Sequence, residues 1–349
     1  MVHYPELQSL HEGIPTAPRS VDVKDGKSFH LDKEVAQYPV SAQLPLAFLC
    51  EWDPVRFVFQ RSLPQVTRSG CPIEIYADCL TGSMVIAKRF PVEQVTNRIR
   101  AMRQSGPTGL VNAWPELVLT QRLGCEGLAG FCACFGAFND DNGDVLLVSE
   151  YIPGGDLFEL ALNLCEPGPA REKQALPVIH SLIKTVMRLH ACGVAHCDIS
   201  LENALKRPGP DGEVVLIDFE TALSGDACQR RGVCGKPFYQ APEMYTRKVW
   251  DAYAADLFAC GVAAYCLAMG NYPWKSTKPG VCRRFAIFQK FGFRAILMKR
   301  AVLGGIESRQ TIGTCLSPYL TNLLEVLLHP QPEARMGALT LLACAEHDF

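Results

Sequence analysis

Lys88 closes the apolar run Val85-Ile-Ala-Lys88, so a cation stands at the end of a segment otherwise suited to burial. Acidic and amide side chains follow at short spacings: Glu116, then His196-Cys-Asp198-Ile-Ser-Leu-Glu-Asn203, then Asp218-Phe-Glu220. A Lys or Asp taken alone is usually a solvated surface charge. This set differs because its members sit at the ends of apolar strands and in a fixed order. A held cation can neutralise a polyanion, and carboxylate and amide oxygens are the hard donors that Mg²⁺ prefers. A further carboxylate can orient a hydroxyl and accept its proton. Together these parts suit chemistry on a phosphate-bearing substrate.

The elements that would position them can be read from the pattern. Residues 56–90 are strand-like, with Ile73, Ile75 and the Met84-to-Ala87 run flanking a Thr81-Gly82 turn. A helical stretch carrying Glu116, Leu117, Leu119 and Leu123 follows, then a second hairpin around Asp140-Asp-Asn-Gly143. The apolar strand at 145–151 stops at Pro153-Gly-Gly155, a hinge-like break. Beyond it the pattern is helical at 178–190, 250–269 and 316–329, with a short buried strand at 214–217 and a Pro330-Gln-Pro332 stop. Residues 1–45 are polar and turn-rich and read as an irregular extension.

The 349 residues are 48% hydrophobic, enough for a core and too many for a disordered chain. With 34 Lys+Arg against 36 Asp+Glu, bulk charge gives no reason to bind nucleic acid or an anionic membrane. No apolar run reaches the roughly 18 residues of a membrane span; the longest, 257–270, suits a buried helix. The opening MVHYPELQSLHEG lacks the features of a secretory signal. The 16 cysteines are scattered singly, and the close pair Cys132 and Cys134 lacks zinc spacing, so they read as reduced core thiols in a cytoplasmic protein.

Taken in order, Val85-Ile-Ala-Lys88, Glu116, Glu150-Tyr-Ile-Pro-Gly-Gly-Asp156, the 196–203 run, Asp218-Phe-Glu220 and Ala241-Pro-Glu243 resemble the motifs of the eukaryotic protein kinase family. Asp256 and Arg335 extend the match. The resemblance implies an α+β, bilobal protein-kinase-like fold, with a small antiparallel β-sheet lobe (46–152) and a larger, mainly helical lobe (153–349). It implies ATP and Mg²⁺, with Lys88 on the α/β-phosphates and Glu116 holding Lys88. Asp218 and Asn203 would be the metal ligands and Asp198 the catalytic carboxylate. It places the backbone of Glu150 and Ile152 at the adenine edge, Asp156 near the ribose and Ser149 at the gatekeeper position, where a small side chain implies an enlarged back pocket. Asp256 would cap the catalytic-loop backbone, and Arg335 would pair with Glu243.

The pattern is broken in four places. The segment Leu63-Pro-Gln-Val-Thr-Arg-Ser-Gly70-Cys-Pro holds one glycine where a glycine-rich loop is expected. Cys197 stands where the family usually has Arg, which implies a kinase not switched on by activation-loop phosphorylation. Ser200 and Lys236 occupy positions that normally carry Lys and Thr, a reciprocal exchange in which Lys236 would replace the missing catalytic-loop cation. Glu220 replaces the glycine after Asp218-Phe, where it could ligate metal, stiffen the segment or point away. The resulting expectation is a protein kinase acting on a protein Ser or Thr hydroxyl, with no nucleic-acid or membrane partner. The alternative is a pseudokinase scaffold that binds nucleotide or partners without turnover.

Overall fold

The computed structural model describes residues 49–66, 70–105, 114–209, 212–225, 228–299 and 315–338. The expected extension at 1–45 lies outside them. Strands β1 (Leu49–Glu51), β2 (Phe57–Val66), β3 (Pro72–Asp78), β4 (Ser83–Phe90), β5 (Cys134–Asn139) and β6 (Val145–Glu150) form one sheet in the order β1-β5-β6-β4-β3-β2. Neighbours are antiparallel except β1, which joins β5 in parallel and which the sequence pattern did not signal. Both expected hairpins form, with Asp78 opposite Ser83 and Asn139 opposite Val145. Gly82 (φ +71°) and Gly143 (φ +82°) take the left-handed backbone their turns need.

The strand period sends alternate residues of β4 to opposite faces. Val85 and Ala87 join Phe57, Tyr76, Phe138, Leu146 and Val148 in one apolar cluster. Phe90 belongs to the other face, packed with Val145, Leu147, Val95, Trp114 and Leu117. Lys88 shares Phe90's parity and lies opposite Leu147, so its stem leaves the sheet on the helix-covered side. That side is covered by α1 (Val92–Ser105) and α2 (Pro115–Cys125). The first of these was not anticipated, because its sequence is mostly polar and places few apolar residues, Val95 and Ile99 among them, on the sheet.

After the hinge come α3 (Leu157–Asn163), α4 (Pro169–Ala191), α5 (Glu243–Thr246), α6 (Ala252–Met269), α7 (Arg283–Phe291), α8 (Phe293–Lys299) and α9 (Pro318–Leu327), with short strand pairs among them. Helix α6 starts two residues later than the helix expected at 250–269 and has 18 residues, long and apolar enough by composition to cross a membrane, yet 94% of it is buried inside the protein. It is therefore the core of the helical lobe. Asp251 caps it, accepting from the amides of Tyr253 and Ala254.

Two buried arginines hold this lobe. Arg171 donates to the carbonyls of Ala161, Leu164, Cys165 and Leu267, at distances of 2.7 to 3.3 Å. These carbonyls belong to the C-terminal ends of α3 and α6, where orphan acceptors and the negative end of the dipole favour a cation. Arg335, with no exposed surface, makes a bidentate pair with Glu243 (2.6 and 2.8 Å) and donates to Ala254 O and His329 O. The expected Arg335–Glu243 pair is thus present. Removing one partner strands a buried charge, so in urea denaturation Arg335→Met should lower the unfolding free energy by about 3–5 kcal/mol. The double replacement Glu243→Leu/Arg335→Met should lose markedly less.

Candidate active site

Pro115 at the first helical position of α2, with its φ preset, fixes where the helix begins, so Glu116 falls in its first turn. The Lys88 Nζ lies 3.3 Å from Glu116 Oε1 and 3.1 Å from Asp218 Oδ1. One ammonium from the sheet lobe is therefore shared by two carboxylates separated from it widely in sequence. Burial alone would lower the Lys88 pKa, but Glu116 and Asp218 reverse this and hold it above its ordinary value. Burial would likewise raise Asp218, and Lys88 outweighs it, so Asp218 stays below the usual carboxylate range. Glu116 is the loser: burial, opposed by Lys88 and reinforced by Asp218, pushes it up to about 7. Its Oε2 is buried with no hydrogen-bond partner.

Asp218 and Asn203 are brought to one end of a strand pair. Asn203 precedes β7 (Ala204–Lys206) and Asp218 follows β8 (Val214–Leu216), and these strands pair with Ala204 opposite Leu216. The Ile217 amide donates to Asn203 O at 3.1 Å. Asp218 adopts a left-handed backbone (φ +65°), unusual outside glycine, which turns its carboxylate towards Lys88. Phe219 packs inward against Phe131 and His196, with ring centroids 6.2 and 5.2 Å apart.

The 196–203 loop is held from beneath. Asp256 on α6 accepts from the amides of His196 (2.7 Å) and Cys197 (2.8 Å) and meets His190 Nε2 at 3.0 Å. The expected capping role of Asp256 is borne out. Asp198 is locked by the Lys236 amide on Oδ1 (3.0 Å) and by Asn203 Nδ2 on Oδ2 (3.2 Å). Gly235 (φ +76°) lets that amide approach: a Cβ there would lie 3.0 Å from Cys197 O and 3.2 Å from Asp198 Oδ1.

A protein kinase domain model matches residues 80–349. The chain belongs to the protein kinase family. Among similar proteins, Serine/threonine-protein kinase H1 of Homo sapiens is 30% identical over 202 residues, covering 57% of this chain and 43% of that protein. Serine/threonine-protein kinase SAPK3 of Oryza sativa subsp. indica is 35% identical over 140 residues, 40% of each chain. SRK2E of Arabidopsis thaliana, also a serine/threonine-protein kinase by name, is 35% identical over 130 residues, covering 37% of this chain and 35% of that one. The chain thus spans less than half the length of these curated relatives. Membership implies ATP as the nucleotide. The match begins after β2 and β3, the strands beside the degenerate glycine-rich segment.

Other expected kinase positions fall as follows. The turn between β2 and β3 lies partly outside the described residues, and its glycine, Gly70, has φ +75°. Ser149 is buried on β6 between Ile86 of β4 and Cys134 of β5, whose thiol donates to Val148 O at 3.6 Å. Glu150 ends β6 with its side chain paired to Arg207 and its Oε2 taking the Ala133 amide. Ile152 is buried against Cys132 and Val215. Asp156 caps α3 through the Glu159 amide at 2.8 Å, so one carboxylate oxygen is already engaged. Gly154 is required at the hinge, because a Cβ would fall 1.8 Å from Lys206 O.

The departures also acquire causes. Cys197 (φ +64°) is buried, and its hydrogen bond to Cys234, together with burial, pushes its pKa well above that of a free thiol. Lys236 and Ser200 do meet, with Nζ 2.6 Å from the hydroxyl, 3.3 Å from Glu202 Oε2 and 3.4 Å from Asn203 Oδ1. Glu220 is not among the residues with positive φ, so a side chain is accommodated there without backbone strain. Its Oε1 pairs with Arg98 of α1 at 3.2 Å.

Sequence reasoning missed Arg98, Arg207, Glu202 and Cys234. Cys234, two residues before Lys236, was the most findable. Glu202 lies inside the 196–203 run itself, whereas Arg98 and Arg207 reach the site from elements whose course depends on tertiary packing.

Glu116 gives a pH test. An acid whose folded pKa lies above its unfolded value binds more protons when folded, so its stabilising contribution is complete below about 4.5 and is lost as pH rises through about 7. Glu116→Gln removes that titration. Followed by thermal melts from pH 5 to 8, the variant should gain stability relative to the wild type as pH rises.

Proposed function

We propose that this chain is an active protein kinase that transfers the γ-phosphoryl group of ATP to a Ser or Thr hydroxyl of a protein. The observation that carries this reading is Lys88 bridging Glu116 and Asp218 between the two lobes. Such a bridge sets the reacting groups in one cleft, and the chemistry asks for little beyond positioning and charge neutralisation. The serine/threonine kinases among its relatives support the acceptor class.

Asp218 and Asn203 offer hard oxygens of the kind Mg²⁺ takes. Among the described residues no cluster of three His, Cys, Asp or Glu side chains could hold a metal by itself. Mg²⁺ needs only one or two protein oxygens, with phosphate and water supplying the rest of its shell. When bound, Mg²⁺ would neutralise phosphate charge; these two residues would hold it.

The side chains then divide the work. Lys88 holds the α/β-phosphates and Glu116 fixes Lys88. The backbone of Glu150 and Ile152 meets the adenine edge, with Ser149 behind it and Asp156 beside the ribose. Asp198, its rotamer fixed by Lys236 N and Asn203 Nδ2, orients the acceptor hydroxyl and takes its proton. The Lys236 ammonium, 2.6 Å from Ser200 Oγ, supplies the cation that this catalytic loop lacks. With a buried thiol at Cys197 in place of an arginine, activity does not depend on phosphorylating the activation segment.

Purified protein incubated with Mg²⁺, labelled ATP and a generic protein acceptor should transfer label to Ser or Thr after phosphatase pretreatment. Asp198→Asn should reduce transfer by roughly 10²–10⁴-fold. Nucleotide binding without transfer would establish the scaffold alternative instead. In the same assay Lys236→Ala should lower kcat by roughly 10²-fold, the scale of one lost electrostatic contact in the transition state. Adding Ser200→Lys should restore part of it, and full activity in Lys236→Ala would refute the exchange.

A further inference from the structure

Helix α1 is docked on the sheet lobe at several points. Its first amide, Val92 N, donates to Asp144 Oδ1 at 2.8 Å, and Gln94 accepts from the Cys71 thiol at 3.4 Å. Val95 and Ile99 enter the cluster with Phe90 and Trp114. Arg98, between them in sequence, reaches out of the sheet lobe to Glu220, on the turn Phe219–Thr221 that directly follows Asp218. The pair is partly shielded, with side chains 30% and 19% exposed.

The charge count around Lys88 makes this contact consequential. Lys88 touches Glu116 and Asp218 and also feels Glu220. Three carboxylates thus compete for one ammonium, and Glu220 Oε2 is buried with no hydrogen-bond partner. An unpaired Glu220 would repel Asp218 and Glu116 and draw on Lys88. Moving the 219–221 turn away would relieve that repulsion, and it would take Phe219 and the left-handed Asp218 with it.

We infer that Arg98 is a positioning residue: its ion pair with Glu220 latches α1 onto the turn after Asp218 and keeps Asp218 on Lys88. Glu220 is then a chain-specific anchor, and α1 is the element that bears on the geometry of the site. The meaning for catalysis rests on the kinase reading, but the latch itself does not.

Hydrogen exchange of the amides at 219–222 separates the two. Arg98→Ala should speed their exchange by roughly two- to fivefold, the ratio expected for loss of a partly shielded pair. The thermal midpoint should stay near the wild-type value. Arg98→Lys should retain much of the protection. Glu220→Gln placed in the Arg98→Ala background should restore it, because the stranded charge is gone. In a transfer-competent protein kcat follows the same order, while the exchange result stands even where no transfer occurs. Unchanged exchange in Arg98→Ala, or a double variant exchanging as fast as the single, would overturn the latch.

Discussion

One ammonium group between two carboxylates organises this molecule. Lys88 comes from β4, one of the two central strands of the sheet, Glu116 from the first turn of α2, and Asp218 from the end of a strand pair in the helical lobe. Each is nearly or largely removed from water, so the attraction is strong and so is the cost of breaking it. The balance is uneven: Lys88 and Asp218 keep their charges readily, while Glu116 is pushed up to about 7 by burial. A carboxylate near neutrality with one unpartnered oxygen makes α2 the most easily disturbed arm of the arrangement.

The rest of the helical lobe reads as support for that geometry. Asp256, on the buried helix α6, sets a fixed height for the amides of His196 and Cys197. From there the Asn203 and Lys236 contacts fix the Asp198 rotamer. Arg335 and Glu243 tie the end of the following segment to the base of α6. Buried charges of this kind add little net stability over apolar substitutes, and their value lies in specifying one arrangement.

Much of this was legible in the sequence for a definite reason. Motifs at strand ends and loops stay in register with the chain, so Lys88, Asp198, Asn203 and Asp218 could be placed from order alone. The hairpins at Gly82 and Gly143 and the buried α6 follow from turn chemistry and composition. The Ser200–Lys236 exchange was readable because each departure sat at a recognisable position, and the two side chains do touch. Arg98 was not readable, since α1 is polar and its docking depends on the β5–β6 turn that caps it. The parallel pairing of β1 and the Arg207 clasp on Glu150 were hidden for the same reason: both are tertiary contacts with little local signature.

The most direct test of the account is whether Lys88 faces bound nucleotide. Treatment of the protein with an acyl-phosphate derivative of ATP, followed by peptide mass spectrometry, reads which lysine lies beside the phosphates. Acylation of Lys88, suppressed by excess Mg·ATP, is the expected result. Lys88 left unmodified while surface lysines react, or labelling that excess Mg·ATP does not reduce, would contradict it.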